Sequence, residues 1–61
     1  MNNRLEITIM REGNNILGNF YRVIAYRGDY RLGEQIYAGY TRRESERRAR
    51  DTIRERGRLG I

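Results

Sequence analysis

The sequence predicts an α+β fold, in which a three-stranded antiparallel sheet packs on one C-terminal α-helix in the order βββα. Three short segments alternate apolar and polar residues, which is typical of half-buried strands. The turns between them are short, and short turns require antiparallel neighbours. Residues 42–56 contain good helix formers with no Gly or Pro and read as one helix. We expect the 61 residues to form a single small βββα domain spanning residues 1–61.

The predicted strands cover residues 4–10, 20–27 and 34–40, with turns at 12–15 and 28–33. Their alternation separates two sheet faces. The first face is almost wholly apolar, and we assign it to the helix, with Leu59 and Ile61 completing the cover. That face consists of Leu5, Ile7, Ile9, Tyr21, Val23, Ala25, Ile36, Ala38 and Tyr40.

The second sheet face is aromatic and partly charged, and no segment of the chain remains to cover it. Exposed apolar patches usually mark an interface. Two occupants fit: a second copy of the chain, giving a homodimer, or nucleic acid stacking on the rings. This face consists of Phe20, Arg22, Ile24, Tyr26 and Tyr37, with Arg4, Glu6 and Thr8 alongside.

The predicted helix has clear signals at both ends. Thr41 is a good N-cap, and Glu44 follows at the capping-box spacing. Gly57 can take the left-handed conformation that ends a helix. Only Ala49 and Ile53 are apolar, and they lie on one face. The helix therefore rests on the sheet by a narrow stripe.

Composition points to an acidic partner and away from catalysis. All 13 basic residues are Arg, and the formal net charge is +5. A GC-rich genome would explain the missing Lys, and so would the bidentate pairing of Arg with phosphate or guanine. The absence of Cys and His excludes disulfides and most zinc sites. We expect no enzyme activity, because His, Cys and Lys are absent as base or nucleophile. We also expect no cofactor and no metal site.

The helix carries a basic ridge at three- and four-residue spacing. Such a ridge would follow a phosphate backbone and give salt-dependent affinity. The alternative is a solvated surface helix held by two i,i+4 ion pairs, one between Glu44 and Arg48 and one between Glu46 and Arg50. The ridge consists of Arg43, Arg47, Arg50 and Arg54.

The order of three strands and a helix resembles the small AP2-like N-terminal DNA-binding domain of phage and transposon integrases. Tyr21, Val23, Tyr40, Thr41 and Glu44 fall on that pattern, and Ala25 stands where a later Tyr would be. In that family the sheet face away from the helix enters the major groove. The resemblance implies DNA contacts by Arg22, Tyr26, Arg27, Arg31 and Tyr37. The ending Gly39, Thr41 and Glu44 also resembles small antitoxins with a partial RNase H-like fold.

The sequence therefore predicts a small basic, non-catalytic nucleic-acid-binding protein, with DNA favoured over RNA. The alternatives are an adaptor or inhibitor that binds an acidic protein partner through the open sheet face, and a structural domain. We expect a homodimer. We also expect a cytoplasmic protein with no membrane contact, because no apolar run or signal peptide is evident. The predicted binding residues are Arg22, Tyr26, Arg27, Arg31, Tyr37, Arg43, Arg47, Arg50 and Arg54.

Overall fold

A computed structural model describes residues 4–14, 16 and 18–60, except for the side chain of Asn14. Along the chain lie β1 (Leu5–Asn14), β2 (Gly18–Arg27), β3 (Tyr30–Ala38) and α1 (Arg42–Arg56). The strands form one antiparallel sheet in the order β1-β2-β3. The predicted βββα arrangement is confirmed.

The first hairpin is longer than the sequence predicts. β1 pairs with β2 over its whole length, from Leu5 opposite Arg27 to Asn14 opposite Gly18. The turn predicted at residues 12–15 is therefore wrong in position, because β1 continues to Asn14. β3 ends where Ala38 pairs with Phe20. The end of the hairpin near Asn14 and Gly18 thus extends past the third strand. This extension makes the molecule elongated, with dimensions of 42 × 21 × 19 Å.

The second hairpin contains a β-bulge that reverses the faces of β3. Arg27 pairs with Tyr30 across a two-residue turn, so the strand begins four residues earlier than predicted. The pairing then shifts between Ala25 and Tyr26, which leaves Leu32 as the extra residue. Because side chains alternate with period two, one extra residue moves every later side chain to the opposite face.

The predicted faces of the third strand are consequently wrong. Tyr37 lies on the helix side with only 9% of its surface exposed. Ile36 and Ala38 lie on the open side instead, and Ile36 is 47% exposed. Tyr40 follows the strand in a bend and is 37% exposed. The faces of β1 and β2 are as predicted.

The core lies between the sheet and α1. The helix contributes Ala49 and Ile53, as predicted, together with buried Ser45, whose Oγ donates a hydrogen bond to the Thr41 carbonyl at 2.9 Å. The buried apolar residues are Val23, Ala25, Tyr37, Ala49, Ile53 and Leu59, with Leu5, Ile7, Ile9 and Leu32 packed against them.

Both ends of α1 are capped as predicted. The Glu44 N–H donates to the Thr41 hydroxyl, and the Thr41 N–H donates to the Glu44 carboxylate, each at 3.1 Å. Gly57 has φ 75°, and its N–H donates to the Ile53 carbonyl at 2.7 Å. These bonds satisfy backbone groups that a helix of 15 residues leaves without internal partners.

The C-terminal tail closes the core against the bulge in β3. The Leu59 N–H donates to the Leu32 carbonyl at 2.9 Å, and the Leu59 side chain is only 4% exposed. Gly33 has φ 120°, and a Cβ there would overlap the Leu59 carbonyl oxygen. Glycine is therefore needed at this position for both its conformation and its size. Ile61, the other predicted cover residue, lies outside the described residues.

Candidate nucleic-acid interface

Four arginines form one stripe along α1. Arg43, Arg47, Arg50 and Arg54 follow one another at intervals of four, three and four residues, and all four are exposed. At 3.6 residues per turn they lie within about 60° of arc. The helix packs on the sheet through other residues. We call this set the arginine stripe, and its side chains are available to an outside ligand.

The carboxylates of α1 are mostly on a separate flank. Glu44, Asp51 and Glu55 lie within about 40° of one another, displaced from the arginine stripe by about a quarter turn. Glu46 borders the stripe and pairs with Arg50 at 3.6 Å. Most carboxylates of this helix therefore lie apart from the stripe, although Arg48 shares their flank.

The ion pairs on α1 only partly agree with the solvated-helix alternative. Of the two expected i,i+4 pairs, the described residues form the one between Glu46 and Arg50. The Arg48 guanidinium instead lies over the Tyr40 ring, 4.3 Å from its centroid. Arg54 pairs with Asp51 at 3.7 Å while remaining 79% exposed. Exposed pairs of this length stabilise little and compete weakly with a phosphate.

Arg27 of β2 joins the end of the stripe. The sequence predicts that the second strand ends at Arg27, and the pairing places Arg27 opposite Leu5 at the end of β2. A shallow depression there is lined by Leu5, Arg27, Arg50, Ile53 and Arg54. Three of the nine predicted binding residues therefore line one depression, whose other lining residues are apolar. The strand and the helix hold them there together.

The sheet face away from α1, here called the open face, presents four rows of three side chains from β1, β2 and β3. The rows follow from the pairing of the strands. They are Glu12-Phe20-Ala38, Met10-Arg22-Ile36, Thr8-Ile24-Glu34 and Glu6-Tyr26-Arg31.

Arg22 is held at the centre of the open face by two carboxylates. Its Nε donates to Glu12 Oε1 at 2.8 Å, and its Nη1 donates to Glu34 Oε2 at 3.0 Å. Arg31 also pairs with Glu34, at 3.2 Å. Hydrogen bonds from Arg22 lower the pKa of Glu34, and the two carboxylates raise the pKa of Arg22. The ion pair between Arg22 and Glu34 therefore stays charged at neutral pH.

The open face is not basic. Three carboxylates and two guanidiniums give the twelve side chains of the four rows a formal charge of −1, a count that leaves out Arg4, which precedes β1. The remaining eleven arginines and five carboxylates of the chain give +6. Sequence reasoning missed this because Glu12 and Glu34 lie near the predicted turns. Only the pairing of the strands shows that both side chains reach Arg22.

The structure separates the nine predicted residues into two groups and one buried residue. The helix side holds Arg27 and the arginine stripe, and the open face holds Arg22, Tyr26 and Arg31. Tyr37 belongs to the core, where it meets Tyr40 edge to face at 6.2 Å. Burial raises the pKa of the Tyr37 phenol. Its predicted place on the open face is wrong.

Other kinds of site find no support within residues 4–14, 16 and 18–60. No group of three metal-ligating side chains occurs there. No helix in this part of the chain has the length and apolar character needed to span a bilayer. Comparison with protein families, curated proteins and solved structures gave no match. The resemblance to integrase domains therefore stays a prediction.

Proposed function

We propose that this protein is a non-catalytic nucleic-acid-binding protein that uses the arginine stripe together with Arg27. The observation that carries the proposal is the convergence of Arg27, Arg50 and Arg54 on one depression beside Leu5 and Ile53. Guanidinium groups placed by two different elements form a preorganised cationic surface. Phosphate is the ligand that arginine forks bind best in such a setting.

Duplex DNA is favoured over RNA as the ligand. The stripe runs along an exposed side of a helix, and the major groove of B-DNA is wide enough to admit a helix. The major groove of A-form RNA is too narrow and deep for this. The placement of Glu44 and Glu55 on another flank supports the same arrangement, because the stripe can approach phosphates while these two carboxylates face away, and only the weak Asp51 contact to Arg54 must give way.

Of the two surfaces that the sequence predicts as the interface, the basic helix is favoured over the sheet face. Arg22 already donates to Glu12 and Glu34, so binding a phosphate would require it to leave two carboxylates. The net negative charge of the open face also opposes nucleic acid there. The same charge weakens the alternative of an adaptor that binds an acidic protein through this face.

A salt titration with variants tests the proposal. On duplex DNA, log Kd is expected to rise linearly with log salt, with a slope of about 0.9 for each phosphate neutralised. The double variant Arg27→Ala/Arg50→Ala is expected to weaken binding by about tenfold or more and to reduce the slope by one to two units, because it removes two converging guanidiniums.

The matched control is Arg56→Ala/Arg58→Ala, which removes the same charge from exposed positions outside the stripe. It is expected to weaken binding clearly less. Equal losses in the two double variants would show diffuse charge attraction and contradict a defined interface. Absence of binding to duplex DNA at low salt would remove the proposal altogether.

A further inference from the structure

The open face is self-complementary, and we propose that it packs against the open face of a second copy about a two-fold axis parallel to β2. This inference concerns the opposite side of the molecule from the arginine stripe and does not depend on nucleic-acid binding. It specifies the expected homodimer by naming the face, the axis and the residues that meet.

The first support is the apolar content of the open face. Phe20, Ile24 and Tyr26 lie along its central strand. Met10 and Ile36 flank Arg22 in one row and are 37% and 47% exposed. The neighbouring charges are largely paired with one another through Arg22, which reduces the cost of removing them from water. Such a surface suits burial against protein more than contact with phosphate.

The second support is the set of residues that would meet across a two-fold axis parallel to the strands. Rotation about this axis places β1 of one protomer opposite β3 of the other. Each row of side chains then faces the same row of the partner. Met10 then meets the partner's Ile36, and Ile24 meets the partner's Ile24. Glu6 meets the partner's Arg31, and symmetry makes this pair twice. Opposite charges and apolar side chains therefore coincide across the interface, except on the axis, where Arg22 faces the partner's Arg22 and each is neutralised by Glu12 and Glu34 of its own chain.

The other in-plane axis, across the strands, gives a poorer match. It places Glu6 against the partner's Glu12 and Ile36 against the partner's Glu34. By symmetry the repulsion between Glu6 and Glu12 occurs twice and no opposite charges meet, whereas the axis along the strands forms the Glu6–Arg31 pair twice. Both axes keep the strands of the two sheets aligned, as in sheet packing where strand directions differ by about 30° and the sheets lie about 10 Å apart.

The distribution of charge over the whole chain favours the same arrangement. The open face carries −1, whereas the rest of the chain carries +6. Packing the open faces together leaves the two arginine stripes on opposite outer sides, where their mutual repulsion is smallest. Association through α1 would instead bring the two stripes together.

Sedimentation equilibrium tests whether the dimer forms through this face. The wild-type chain is expected to dimerise at micromolar concentration. Ile24→Glu, which places two carboxylates on the axis, is expected to weaken the dimer by about 100-fold or more. Circular dichroism checks that this variant is folded. A wild-type monomer at about 100 micromolar, or a folded Ile24→Glu variant that dimerises normally, would overturn the proposal.

A charge-reversal pair tests the axis and does not rely on a substitution at the centre. Glu6→Arg alone would set Arg against the partner's Arg31, and Arg31→Glu alone would set Glu against the partner's Glu6. Each variant is expected to dimerise about tenfold more weakly. An equimolar mixture of the two restores both opposite-charge contacts and is expected to dimerise about as well as the wild type.

The controls are Glu55→Arg and Arg58→Glu, which make the same charge changes away from the open face. They are expected to leave dimerisation unchanged, alone or mixed. A mixture of Glu6→Arg and Arg31→Glu that stays monomeric would overturn the proposed axis. Tighter dimerisation of Glu6→Arg alone would overturn it as well, since that result fits the axis across the strands. A wild-type chain that dimerises but does not bind duplex DNA at low salt would contradict only the proposed function.

Discussion

At the scale of single residues, Gly33 is the position where the fold is least tolerant of change. It has φ 120°, and its Cα faces the carbonyl of Leu59. Gly33→Ala is expected to lower the free energy of unfolding by about 3 kcal/mol, because it combines an unfavourable backbone conformation with displacement of the tail. Gly39→Ala is the matched control, since Gly39 has φ 83° but open space around it.

Urea unfolding of both variants measures this difference. The control isolates the cost of the backbone conformation, which is about 1 to 2 kcal/mol. A Gly33→Ala loss no larger than that of Gly39→Ala would show that the tail moves aside freely. The contact between Leu59 and the bulge would then contribute little to stability.

At the scale of elements, the capping box links the stability of α1 to pH. The backbone N–H of Thr41 lowers the pKa of Glu44 by donating a hydrogen bond to its carboxylate. A group whose pKa is lower in the folded state stabilises the fold above its ordinary pKa of about 4.3 and loses that effect as pH falls through the lowered value. Stability is therefore expected to decrease below about pH 4.3.

Glu44→Gln tests this link because an amide oxygen accepts the Thr41 hydrogen bond without titrating. The variant is expected to lose less stability than the wild type between pH 6 and pH 3, as measured by the change in melting temperature. Glu55→Gln, outside the capping box, is the control and should behave like the wild type. An unchanged acid dependence in Glu44→Gln would contradict the assigned role of this carboxylate.

The elements also show which parts of the structure could be read from the sequence. The period-two alternation in β1 and β2 and the caps of α1 are local signals, and both were predicted correctly. The faces of β3 were not, because a single bulge at Leu32 reverses them. Gly33 was a usable signal, since glycine inside a strand often marks a bulge or a close backbone approach.

At the scale of the whole molecule, the two candidate surfaces differed in how far the sequence could define them. The arginine stripe lies on one helix, so its spacing along the chain is enough to predict it. The charges of the open face come from three strands, and their sum depends on pairing that the sequence does not state. The sequence predicts that Arg22 is available for nucleic acid, whereas the structure places Glu12 and Glu34 on either side of it.

The uneven distribution of charge between the two sides has an electrical consequence. A sheet side at −1 and a remainder at +6 give each chain a dipole moment that points from the open face toward α1. An approaching polyanion exerts a torque on a single chain with this moment and turns its helix toward itself before any contact forms, whereas in the proposed dimer the two moments cancel across the axis. This orienting effect extends over roughly one Debye length, about 10 Å at 0.1 M salt, and fades as ions are added.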